Sequence, residues 1–119
     1  MDITELKHAL SDPENLGGVI YGSVITGNTG LTRNQRCFMT SFFDDSENRD
    51  LTLNASDWQE GDWFVIRQFG DGQATIVPQN ANVKLPDWDK TAGKGYDMYI
   101  ECYSVSGSDK YFHIIGGAL

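Results

Sequence analysis

Cationic side chains are scarce in this chain. Across 119 residues, nine Lys and Arg stand against seventeen Asp and Glu, for a formal net charge of −8. Such a surface repels a phosphate backbone, so nucleic acid is not an expected partner. Long apolar runs are also missing. None approaches the roughly 20 residues that cross a bilayer as a helix, and no membrane partner is expected. No basic stretch followed by an apolar one opens the chain, which predicts synthesis and folding in a cytoplasm. Histidine is limited to His8 and His113 and cysteine to Cys37 and Cys102, with no closely spaced set for zinc. In a reducing compartment the two cysteines read as buried thiols, although their spacing leaves a disulfide open. Nothing local marks a Cys37–His113 pair as an activated nucleophile. Gly70-Asp71-Gly72 is too short for a phosphate-binding loop and runs into a strand, not a helix. The chain is therefore expected to be no enzyme, with no catalytic residue, metal or cofactor.

What is present is β-structure. Hydrophobic residues make up 39% and aromatics 12%, a globular composition large enough for one domain with its own core. The centre is Gly61 to Val77. Trp63, Val65 and Phe69 alternate with Phe64 and Ile66, so both faces of a strand here are apolar, as in a sandwich core or at a subunit contact. Gly70-Asp71-Gly72 then reads as a tight hairpin turn whose glycines take positive φ. Ala74, Ile76 and Pro78 alternate with Gln73, Thr75 and Val77 in a second strand that Pro78 ends or places at an edge.

Further strands are expected over 19–26, 36–43, 51–53, 83–85, 96–105 and 110–115, with turns at 27–30 and 106–109. About seven or eight short strands with a turn every 8–12 residues predict an all-β fold, an antiparallel β-sandwich or jelly-roll-like barrel over 19–119. Residues 1–18 are expected to be separate. Asp2 caps a short helix with Ile3, Leu6 and Leu10 on one face, and Ser11-Asp12-Pro13 stops it. Too short to persist alone, that face needs a surface, either its own domain or a platform on which the chain docks.

Two surface features have a chemical reading. Asp44, Asp45, Glu47 and Asp50 form an acidic loop that reads as solvated, with calcium as the alternative. Trp58, Trp63 and Trp88, with Tyr96, Tyr99, Tyr103 and Tyr111, serve core and interface packing or form a platform for stacking sugars, in which Trp58 and Trp88 bind carbohydrate.

Several stretches together carry a resemblance. They are Leu51-Thr52-Leu53, Gly61, Val65-Ile66, Gln68, Gly70, Gly72-Gln73, Thr75 and the ending Ile115-Gly116 to Leu119. Over residues 49–119 this resembles a small β-module of tailed-bacteriophage structural proteins, found in head fibres, capsid decorations and tail-fibre segments. The resemblance implies a non-enzymatic all-β module, often a homotrimer, located in the virion and held against the major capsid protein or another virion protein. The functional expectation is a capsid decoration or head-fibre protein. The alternative is a tail-fibre module that binds a receptor or a host surface glycan. Trp63 and Phe69 are the expected interface residues of the β-domain, and Ile3, Leu6 and Leu10 those of the docking segment.

Overall fold

The computed structural model describes residues 21–119. The expected N-terminal helix, its apolar face of Ile3, Leu6 and Leu10, and the linker at 11–18 lie outside the described residues. From Tyr21 onward the protein is nearly all β. Its elements are β1 (Tyr21–Ile25), β2 (Thr29–Leu31), one helical turn α1 (Arg33–Arg36), β3 (Thr40–Phe43), β4 (Arg49–Leu53), β5 (Trp63–Gln68), β6 (Ala74–Pro78), β7 (Val83–Lys84), β8 (Lys90–Thr91), β9 (Asp97–Ser106), β10 (Asp109–Ile115) and β11 (Gly117–Ala118).

The strands form two mixed sheets, one in the order β1-β3-β5-β9-β10-β7 and the other β11-β8-β6-β4-β2. The first six strands alternate between the sheets, so the chain winds through three turns. Like strands of successive turns pair in parallel: β1 with β3, β3 with β5, β2 with β4, and β4 with β6. This corrects the expectation of a wholly antiparallel order. Alternation of side chains has period two whichever way a neighbouring strand runs, so it reports burial and not direction. A parallel pair needs a long crossover, and here the strand in the opposite sheet supplies it. Antiparallel pairing begins only afterwards. β9 adds to β5, β10 returns beside β9, and β8 pairs with β6 and β11.

The expected hairpin at Gly70-Asp71-Gly72 is corrected in the same way. β5 and β6 lie in different sheets, and this segment is the corner between them. Neither glycine has positive φ. They are required because another corner is packed against them. A Cβ at Gly70 would collide with the backbone carbonyl of Asp45, and one at Gly72 with the carbonyl of Glu47. Three corners stack here. Gly27 N donates to Asp45 Oδ2 at 2.8 Å, and Gly72 N donates to the Asp45 carbonyl at 2.8 Å. Asparagines repeat the link from turn to turn. Asn28 Oδ1 accepts from Asp50 N, and Asn48 Oδ1 accepts from Gln73 N, both at 2.9 Å.

The expected strand over 36–43 is shorter than the pattern suggested. Residues 33–36 form α1, and Phe38 has a φ of 61°. A left-handed residue reverses the chain and breaks the strand before Thr40. The expected turn at 27–30 gives way to β2 at Thr29, because Thr29 and Gly30 pair with Leu51 and Thr52. The turn at 106–109 is a true β-hairpin turn joining β9 and β10, with Gly107 at a φ of 60°.

Between the sheets lies a shared core. Phe43, Phe64, Ile66, Met98 and Ile100 come from the first sheet, and Leu31, Leu51, Leu53 and Ile76 from the second. Trp58 enters from the β4–β5 connection and is fully buried against Phe64 and Phe112, its ring 5.1 and 6.0 Å from theirs. At the end of the winding away from the stacked corners, Arg33 donates to Asp62 at 2.6 Å, joining α1 to the β4–β5 connection.

Two outcomes follow. Gly72→Ala is expected to destabilise the fold by about 1–3 kcal/mol, the range for overpacking a filled site. Gly27→Ala meets no atom within 4 Å and bears only its positive φ, so thermal melts should rank Gly72→Ala as the more damaging. The second outcome concerns acid. The Glu47 and Gly27 amides and the Arg49 guanidinium hold the Asp45 carboxyl down to about 2, from an ordinary 3.8. A depressed folded value contributes stability above the unfolded value and loses it as pH falls through the folded one. Acid titration from pH 4 to 2 should therefore destabilise the wild type more steeply than Asp45→Asn.

Candidate binding face

Alternation along β5, β9 and β10 turns one set of residues to the core and leaves the other on the outer face of the first sheet. Phe64, Ile66, Met98, Ile100, Phe112 and Ile114 are buried. Trp63, Tyr99, Tyr103, Tyr111 and His113 face outward, and they touch across the strands in a row. Phe38 meets Trp63 edge to face at 5.9 Å, and Trp63 stacks on Tyr99 at 5.9 Å. His113 lies 6.3 Å from Tyr99 and 5.4 Å from Tyr103, which in turn lies 6.3 Å from Tyr111. The left-handed backbone of Phe38 turns its ring onto this row and leaves it half exposed. Glu101 sits within the row and holds His113 Nε2 at 2.6 Å.

Near β3 the outer face is closed. Phe42 has no exposed surface, although it lies outside the core between the sheets. Tyr21 stacks on it at 5.1 Å, Phe69 packs at 5.2 Å, and the Arg67 guanidinium covers its ring at 5.6 Å. Arg67 is fixed in turn by Asp97 through two hydrogen bonds of 2.5 and 2.9 Å. Trp63 and Phe69, the expected interface residues, therefore both point outward from the first sheet, one in the open row and one in this cluster.

The row ends in a groove of about 370 Å³ where β10 meets the loop after β7. Lys84, Pro86, Trp88, Tyr103, Tyr111 and His113 line it. Trp88 is half exposed, and its indole N–H donates to the Ile114 carbonyl at 2.8 Å, which fixes the ring at the rim. Trp58 is a correction. It was expected beside Trp88 on a sugar platform, but it has no exposed surface and its N–H donates to the Asn54 carbonyl. A tryptophan in a polar loop reads as exposed, yet here the loop folds across an open end of the core and needs a large apolar side chain beneath it. Of the tyrosines expected on the platform, Tyr103 and Tyr111 line this groove, and His113, which was no part of that expectation, joins them. The signal for His113 lies in the alternation of β10, where it stands two residues from Tyr111 on the same face.

The acidic loop has a structural role. Both carboxylate oxygens of Asp45 are engaged, Oδ1 by Glu47 N and Oδ2 by Gly27 N and Arg49 Nε. Among the described residues no cluster of three or more His, Cys, Asp or Glu has metal-binding geometry. Cys37 and Cys102 are both buried free thiols. Burial, with the Asp62 carboxylate beside it, pushes the Cys37 thiol up to about 11, the reverse of an activated nucleophile. Burial also raises Cys102. His113 is engaged with Glu101 and the tyrosines. At pH 8, Cys37 and Cys102 are expected to resist a thiol reagent such as Ellman's reagent in the folded protein and to react fully in denaturant. Rapid labelling of the native protein would contradict this placement.

No family model, curated protein or solved structure matches this chain.

Proposed function

We propose that the protein is a non-enzymatic structural component of a bacteriophage virion, a capsid decoration or head-fibre protein that acts as a homo-oligomer, most simply a homotrimer. The observation that carries this reading is the half-exposed aromatic row on the outer face of the first sheet. Aromatic side chains in a contiguous, partly open array are the chemistry of interface cores. Phe38, Trp63 and Tyr99 form the part nearest the closed Phe42–Phe69 cluster, and this is the region assigned to contact between copies.

The phage assignment draws on the sequence resemblance, and the quoted positions have coherent structural roles. Leu51 and Leu53 fill the core from β4, Ile66 and Gln68 face inward from β5, and Gly70 and Gly72 let the third corner seat on the second. The acidic surface suits a basic patch on a shell protein. Residues 1–18 are proposed as the segment that docks the module on that shell.

Sedimentation of the full chain is expected to give an assembly of three 13.3 kDa subunits. Trp63→Glu should shift it toward monomer with an unchanged β-type circular dichroism spectrum. A wild type that remains monomeric at high concentration would count against the oligomer. Electron microscopy of labelled protein on phage particles tests the location. Deleting residues 1–16 should abolish attachment to particles while leaving the oligomer folded.

A further inference from the structure

We propose that the groove lined by Trp88, Tyr103 and Tyr111 is a binding site for a neutral saccharide, and that it takes a pyranose ring against its aromatic side chains. The proposal concerns the far end of the aromatic row from Trp63, so it does not depend on how copies of the chain associate.

Three features of the groove select this chemistry. The first is its mixed lining. Trp88 and Tyr103 are both half exposed, while Lys84, the tyrosines and His113 bring hydrogen-bonding groups to the same space. A pyranose ring has the matching character, with C–H groups on its faces and hydroxyls around its edge. A wholly apolar ligand would leave those polar groups without partners.

The second feature is order. The Trp88 indole is tied to the Ile114 carbonyl, His113 to Glu101, and Tyr103 packs against both Tyr111 and His113. Rings already held in place lose little freedom when a ligand arrives, which favours binding of a small, well-hydrated molecule. The groove volume of about 370 Å³ falls in the range of small-ligand sites.

The third feature is charge. Among the described residues of the lining, Lys84 and His113 are the ionisable groups besides the two tyrosines, and the Glu101 carboxylate engages His113. The chain as a whole carries −8 and repels polyanions at long range. A neutral saccharide is attracted by the local donors without meeting that repulsion.

The test is titration of the full-length protein with cellotetraose, maltotetraose and chitotetraose as neutral probes and an oligogalacturonate as the acidic one. Saturation-transfer NMR and tryptophan fluorescence report binding, and a broad glycan array extends the neutral set. At least one neutral glycan is expected to bind. Tyr103→Ala and Trp88→Ala should each weaken it by roughly tenfold or more, the equivalent of one lost aromatic contact. Tyr103 is half exposed and packs on the outward Tyr111 and His113, so its variant keeps the test valid if Trp88→Ala perturbs the fold. Trp63→Glu should leave the affinity unchanged, even if it disperses the oligomer. Absence of neutral-glycan binding across the array, binding of the acidic probe alone, or affinity indifferent to Tyr103→Ala would each overturn the proposal. Displacement of a bound glycan by Trp63→Glu and not by Tyr103→Ala would also overturn it, by moving the site to the other end of the row.

Discussion

The fold depends on the stacking of three corners. Thr26–Asn28, Asp44–Asn48 and Phe69–Gln73 each carry the chain from the first sheet to the second, and each must lie directly against the next. Asp45 holds the middle one, taking the Gly27 amide from the corner before and offering its carbonyl to Gly72 in the corner after. Asn28 and Asn48 repeat one side-chain hydrogen bond from turn to turn. Backbone can approach backbone this closely only where Cβ is absent, which is why the third corner contains Gly70 and Gly72. If these corners separate, the parallel ladders of both sheets lose their register together.

The opposite end is secured by charge and by a buried ring. Burial alone would raise the Asp62 carboxyl, but the Arg33 guanidinium and the Gln59 amide outweigh it and hold it below its ordinary value. That pair joins α1 to the connection carrying Trp58. Across the core, Gln68 and Thr91 form a buried polar link between the sheets. Thr91 Oγ1 donates to Gln68 Oε1 at 2.6 Å and accepts from Ala74 N at 3.0 Å. Both polar side chains are satisfied, so their burial ties the sheets together without an unpaired group.

The binding face is a consequence of this architecture. Once β9 and β10 extend the first sheet in antiparallel order, the outward residues of three neighbouring strands fall into one row. Cross-strand and diagonal neighbours on a sheet lie within reach of aromatic rings, and here they touch from Phe38 to Tyr111. The row is closed toward β3 by Phe42, Phe69 and Arg67, and it opens into the groove at Trp88. One face thus carries both the region proposed for contact between copies and, at its other end, the groove proposed for a small ligand.

The sequence by itself determined the all-β class and most strand positions, because period-two burial is a local property of the chain. It also showed the β5 strand as apolar on both faces, and the outward Trp63 and Phe69 pack against Tyr99 and Phe42. It did not reveal the winding, since the repeat is uneven. Tyr21 lies opposite Thr40 and Thr40 opposite Val65, so the offset grows from 19 residues to 25. Tertiary structure alone decided that Gly70 and Gly72 serve close packing and not a hairpin, that Trp58 is core, and that Tyr103, Tyr111 and Trp88 meet around one groove. Each of these depends on contacts between segments far apart in the chain, and local patterns of side chains carry no information about which distant segment will be the neighbour.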